Sequence, residues 1–164
     1  MGKKKAKHNL REVCDAMITD AFPELIDEDV RVEFLEDEDE DFGSYGELHG
    51  GGVFVEIAPS LETAHLDLLQ GILAHELSHA VLDYKTRVRF TLLERLYDWV
   101  AYAISERYRT LDERNTDLEI IKRGYGKQLL ALLEYSENVL GIDYSPEKGL
   151  SPREVKVLLG RNSA

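Results

Sequence analysis

The most constraining feature of this chain is the segment HELSH at residues 75–79. Residues four apart lie on the same face of an α-helix, so a helix here places the imidazoles of His75 and His79 side by side. The surrounding residues 71–82 carry no charge other than Glu76 and no helix breaker after Gly71. Buried hydrogen-bonding side chains without a partner cost about 1 to 3 kcal/mol each, and metal coordination removes that cost. The segment therefore predicts a helix that holds one zinc ion between His75 and His79, with Glu76 beside the position of a coordinated water.

Length and charge narrow the class of protein. The 164 residues, 43% of them hydrophobic, are enough for one domain with its own core, and we expect a disordered basic tail at residues 1–8 before a single domain over residues 9–164. A net charge of −12 argues against a nucleic-acid partner. No apolar run spans a bilayer and no signal core follows the N-terminus, so we expect a cytoplasmic protein with no membrane partner. The single cysteine, Cys14, allows no internal disulfide and is expected to be a small buried residue on the first helix.

Hydrophobic periodicity predicts an α+β fold in which a small antiparallel sheet packs on a mainly helical domain. Helices are predicted over residues 10–22, 61–84, 90–108, 111–122 and 127–140, and after the capping box SPRE at 151–154. Ser60 is expected to cap the helix that carries HELSH, and a basic turn is expected at residues 85–89. Strands are predicted at 30–35, 45–48 and 53–57, the last two forming a hairpin.

The six acidic residues 36–41 follow the first predicted strand. A run of like charges is typical of a solvated, self-repelling loop, and this is the interpretation we favour. The alternative is a site that attracts a basic substrate or a calcium ion.

A catalytic zinc site needs a third protein ligand, and no histidine or cysteine occurs after His79. The third ligand must therefore be a carboxylate. Two segments place an aspartate four residues after a glutamate, so that the aspartate could hydrogen-bond the outer nitrogen of a ligating histidine. These pairs are Glu94 with Asp98, and Glu113 with Asp117.

This pattern resembles the gluzincins, zinc peptidases that combine HExxH with a downstream helix reading ExxxD. Residues 113–126 are similar to the HtpX-like form and residues 94–101 to the ImmA/IrrE-like form. The resemblance covers about residues 53–126 and implies a zincin-like fold in which the glutamate is the third ligand and the aspartate supports a histidine. Glu94 lies only fifteen positions after His79, whereas Glu113 allows a whole intervening helix. Spacing thus favours Glu113 with Asp117, and leaves Glu94 with Asp98 as the alternative.

With one zinc per chain, the expected activity is hydrolysis of a peptide or protein substrate. Zinc lowers the pKa of a coordinated water to about 7, and Glu76 would act as the general base. The strand at residues 53–57 is expected to bind an extended substrate by strand addition. Two other classes remain open: a zinc-binding regulatory or interaction module with weak or no activity, and a metal-free helical interaction protein.

Overall fold

The computed structural model describes residues 8–36, 42–48, 51–89, 105–139, 141 and 149–161. These residues confirm the α+β class, and most of them are helical. Their α-helices are α1 (Leu10–Ala21), α2 (Leu66–Arg89), α3 (Glu106–Lys122), α4 (Gly126–Asn138) and α5 (Pro152–Arg161). Their strands are β1 (Val30–Phe34), β2 (Gly43–Glu47) and β3 (Val53–Ile57), and short 3₁₀ helices lie at Pro23–Leu25 and Pro59–Thr63. Within the described ranges no helix is long and apolar enough to cross a membrane.

The sheet is mixed, in the strand order β1-β3-β2. The predicted hairpin is confirmed, since β2 and β3 pair antiparallel with Tyr45 opposite Val55. The prediction of a wholly antiparallel sheet is wrong, because β1 runs parallel to β3. Val53, Val55 and Ile57 are all buried, so the central position gives β3 the most hydrophobic stabilisation. Strand β1 pairs with the edge of β3 opposite β2. The alternation of apolar residues that predicted β1 carries no information on strand direction.

Helix α2 differs from its prediction at both ends. It begins at Leu66 rather than 61, because Pro59 opens a separate 3₁₀ helix that includes Ser60. The Nδ1 atom of His65, directly before α2, accepts a hydrogen bond from the backbone N–H of Asp67 at 3.4 Å. At the other end α2 continues to Arg89, so the backbone of residues 85–89 is helical and forms no turn.

Helix α3 is continuous across the predicted break at residues 109–110. Ser105 caps it, with its Oγ accepting the backbone N–H of Tyr108 at 3.3 Å. Residues 90–104, which hold most of the helix predicted at 90–108, lie outside the described residues. The predicted stop at Gly124 is confirmed, since its φ of 93° is the left-handed conformation that glycine adopts after a helix.

Helix α2 is the centre of the packing, with α4, α3, β2 and β3 against it. Gly71 permits the closest approach: a Cβ atom there would lie 2.6 Å from the carbonyl oxygen of Gln128 on α4. Cys14 on α1 is fully buried, and burial raises the pKa of its thiol to about 12, as expected for a core residue rather than a nucleophile.

Arg123, just after α3, ties that helix to the end of α1. Its guanidinium donates to Glu24 at 2.9 Å and to Glu119 at 2.8 Å, and lies 4.7 Å above the ring of Phe22. The side chain of Arg123 is only 9% exposed. These contacts hold α3, the helix that contributes Glu113, against the residues that follow α1.

Candidate metal centre

Three side chains from two helices meet at one point of the structure. His75 and His79 lie one turn apart on α2, and their Nε2 atoms are 3.2 Å from each other. Glu113 on α3 places its Oε2 atom 3.4 Å from Nε2 of His75 and 3.7 Å from Nε2 of His79. The two histidines and the glutamate named from the sequence are therefore together.

This triangle of donor atoms, the donor triangle, has the dimensions of a zinc site. Ligands bonded tetrahedrally to zinc at about 2.0 to 2.2 Å are separated from one another by about 3.4 Å. For sides of 3.2, 3.4 and 3.7 Å, the point equidistant from the corners is about 2.0 Å from each. Two imidazole nitrogens and one carboxylate oxygen are also the donors typical of a catalytic zinc site. The donor set fits a zinc ion without rearrangement of the helices.

The outer nitrogens of both imidazoles face α3. Nδ1 of His75 lies 3.6 Å from Oδ1 of Asp117, the aspartate expected from the sequence. Nδ1 of His79 lies 3.4 Å from Oγ1 of Thr116, which donates its own hydrogen to the carbonyl oxygen of Asp112 at 3.0 Å. With its donor used in this way, the threonine oxygen accepts from an Nδ1–H, and so favours the tautomer whose Nε2 is free to bind a metal.

Thr116 and Asp112 were not singled out by the sequence analysis. The Oδ2 atom of Asp112 lies 3.8 Å from Nδ1 of His79. Residues 112, 113, 116 and 117 share one face of α3, and both Thr116 and Asp117 are buried. Four polar residues on one face of a helix, against a helix that carries two histidines, are the sequence signal that was available.

The electrostatics of the donor triangle follow from its burial and its carboxylates. Burial lowers the pKa of His75, but its contacts with Asp117 and Glu113 outweigh burial, and the pKa lies well above 6.5. For Glu113 burial raises the pKa, and its contacts with the two histidines, at 3.4 and 3.7 Å, lower it to about 2. Asp112 has its pKa raised, chiefly by burial. The centre thus concentrates negative charge around two imidazoles, the environment that attracts a divalent cation.

Glu76 lies next to this centre and is not a corner of the donor triangle. It is only 5% exposed. Strand β2 passes directly over it, and a Cβ atom at Gly43 would lie 3.2 Å from Oε1 of Glu76. A nearly buried carboxylate thus stands one position from His75, on the side of α2 that β2 crosses.

Tyr45 of β2 covers the second histidine. Its ring is stacked on the imidazole of His79 with an interplanar angle of 3° and a centroid distance of 5.5 Å. Its hydroxyl donates to the carboxylate of Asp83, one turn further along α2. Strand β2 is therefore attached to the face of α2 that carries the site.

The alternative pair Glu94 and Asp98 lies outside the described residues, as do residues 37–41 of the acidic run. Comparisons with protein-family models, with curated proteins and with solved structures gave no match. The interpretation of the centre accordingly depends on its own geometry and chemistry.

Proposed function

We propose that this chain is a compact zinc-dependent peptidase of the gluzincin type, with a zincin-like fold and one zinc per chain. The observation that carries the proposal is the donor triangle of His75, His79 and Glu113, with Asp117 behind one histidine. A structural zinc site closes its coordination with four protein ligands, whereas three ligands leave a position for substrate or water. Among the described residues, these form the only group of three histidine, cysteine or acidic side chains whose ligand atoms all lie within 4.8 Å of one another.

Each residue then has a distinct task in peptide hydrolysis. Zinc, when bound, polarises the scissile carbonyl and makes water acidic enough to be a nucleophile near neutral pH. Glu76 takes the proton from the attacking water and returns it to the leaving amine, so the chain requires no serine or cysteine nucleophile. Thr116 and Asp117 keep the two imidazoles oriented.

The edge available to an extended substrate differs from the one expected. The sequence suggested that β3 binds the peptide, but β3 pairs with a strand on each side. We therefore assign this role to β2, which lies at the edge of the described sheet and crosses α2 at Glu76 and His79. Strand addition there uses backbone hydrogen bonds and is tolerant of substrate sequence.

The first test is the zinc content of the dialysed protein, measured by elemental analysis for the wild type and for His75→Ala, Glu113→Ala and Glu94→Ala. We expect one zinc per chain in the wild type and in Glu94→Ala, and none in the other two. Zinc retained in Glu113→Ala and lost in Glu94→Ala would transfer the third ligand to Glu94. A wild type without zinc would leave a metal-free helical interaction protein as the better interpretation.

The second test separates an enzyme from a zinc-binding module. A peptide library is incubated with the wild type and with Glu76→Gln, which keeps the shape of the side chain and removes its basicity. We expect cleavage by the wild type, and at least a hundredfold slower cleavage by a Glu76→Gln variant that still holds zinc. Zinc binding with no cleavage in either form would favour the regulatory or interaction module.

A further inference from the structure

We propose that the C-terminal segment 149–161 is part of the metal centre, because it holds Asp117 in the position from which it orients His75. This inference rests on the proposed zinc site and adds a component that lies more than thirty residues away along the chain. In this arrangement Gly149 and Leu150 are positioning residues. They act through Asp117, and Gly149 also lies against the backbone of Glu113, where an added Cβ would be 3.5 Å from the carbonyl oxygen.

The two oxygens of Asp117 face different parts of the molecule. Oδ1 lies 3.6 Å from Nδ1 of His75. Oδ2 accepts a hydrogen bond of 2.6 Å from the backbone N–H of Leu150, and this bond is buried. Asp117 is 1% exposed, so water does not replace either contact. The carboxylate is thus held between the metal-binding helix and the C-terminal segment.

Gly149 is required for this contact. Its φ of 98° is left-handed, and a Cβ atom at this position would lie 2.2 Å from Oδ2 and 3.0 Å from Cγ of Asp117. Any other residue therefore pushes the carboxylate away from its place. Because Asp117 is short and buried, its displacement also moves the atom that faces His75.

The segment is attached to α3 by a second set of contacts. Arg114, next to Glu113, donates to the carbonyl oxygen of Gly149 at 3.2 Å and to Glu154 at 2.8 Å. Glu154 also accepts the N–H and the hydroxyl of Ser151, which completes the capping box of α5. These bonds fix the Leu150 N–H relative to α3, so the position of Asp117 depends on α5 being docked.

The physical consequence is a dependence of zinc affinity on this segment. A carboxylate behind a ligating histidine fixes the ring and its tautomer and raises the basicity of the ligand, and its loss typically weakens metal binding by about 10- to 100-fold. Releasing Asp117 from Leu150 keeps the same three donor residues but removes the support that Asp117 gives to His75.

The test is a Gly149→Ala variant, with zinc affinity measured by competition against a chromogenic chelator. The matched control is Gly124→Ala, since Gly124 has a similar φ of 93° but has nothing within 4 Å of an added Cβ. We expect an affinity loss of about 10-fold or more in Gly149→Ala and a change of less than about 3-fold in Gly124→Ala. Urea unfolding of both metal-free variants measures the stability that each loses by placing alanine at a positive φ. This loss can then be distinguished from a loss of zinc affinity.

A double variant shows whether Gly149 acts through Asp117. If it does, Asp117→Asn combined with Gly149→Ala binds zinc no more weakly than Asp117→Asn alone. Additive losses would overturn the proposal, as would wild-type affinity in Gly149→Ala. Should Gly149→Ala not fold, Glu154→Gln tests the docking contacts instead, and an affinity equal to wild type there would also overturn it. Absence of zinc from the wild type is a different result, which refutes the metal centre itself.

Discussion

Lowering the pH of the metal-free protein is expected to remove the stabilisation that Glu113 gains from the two histidines. Burial raises the pKa of this carboxyl group, but its close contacts with His75 and His79 lower it from 4.5 to about 2. A carboxyl group with a depressed folded-state pKa stabilises the fold above its unfolded pKa, and loses that contribution as the pH falls towards the folded value. The raised pKa of His75 keeps its imidazolium charged throughout this range, so its attraction to Glu113 is lost through protonation of the carboxylate.

The magnitude follows from the two pKa values of Glu113. A difference between 4.5 and about 2 corresponds to about 3 kcal/mol of unfolding free energy at about pH 6, where the carboxylate is ionised in both states. About 2 kcal/mol of this is lost by about pH 3, since the unfolded state has taken up its proton by then and the folded state largely has not.

Urea unfolding in the presence of EDTA measures this contribution, at about pH 6 and at about pH 3. The wild type is compared with Glu113→Gln, and Glu137→Gln, on an exposed position of α4, is the matched control. The difference in unfolding free energy between wild type and Glu113→Gln is expected to shrink by about 2 kcal/mol on acidification, while Glu137→Gln follows the wild type. Equal pH dependence in wild type and Glu113→Gln would refute the placement of Glu113 against the histidines.

Two further predictions concern the packing that holds the site. Arg123→Met removes a cation that is 9% exposed and donates hydrogen bonds to Glu24 and Glu119, so it is expected to lower the unfolding free energy by about 1.5 to 3 kcal/mol. Lys122→Met, at a position 72% exposed, is expected to cost less than about 1 kcal/mol. Equal urea midpoints for the two would contradict this. Gly71→Ala forces a methyl group against a carbonyl oxygen of α4 and is expected to cost about 1 to 3 kcal/mol. Gly160→Ala, with open space around its Cβ, is expected to be neutral or stabilising, and a thermal melt that ranks them in the opposite order would contradict the close packing of α2 and α4.

The parts of the site that could be predicted from the sequence are those set by local geometry. Helical periodicity alone places His75 and His79 on one face, and the structure finds their nitrogens 3.2 Å apart. The absence of later histidines and cysteines predicted a carboxylate as the third ligand, and the ExxxD pattern reduced the candidates to Glu94 and Glu113. The structure places Glu113 beside the two histidines. The capping box at Ser151 and the glycine stop at Gly124 are likewise local, and both were predicted correctly.

The parts that escaped prediction depend on contacts between distant segments. The parallel pairing of β1 with β3 joins strands that are not neighbours along the chain, and alternation along a strand does not encode its direction. The bond from Leu150 to Asp117 uses a backbone N–H, which every residue except proline carries, so no residue type marks it. Nothing in the sequence distinguishes Thr116 from other polar residues of α3. Its contact with His79 arises only when α2 packs against α3.

The donor triangle has one side within a helix and two sides between helices. His75 and His79 lie on successive turns of α2, whose backbone hydrogen bonds fix the separation of their Cβ atoms. The two sides that end at Glu113 cross from α2 to α3, so they change whenever these helices shift against each other. In the proposed zinc site, the size of the ion that fits is therefore set at the α2–α3 interface. Substitutions there, remote from every donor atom, would alter the preference between zinc and a larger divalent ion.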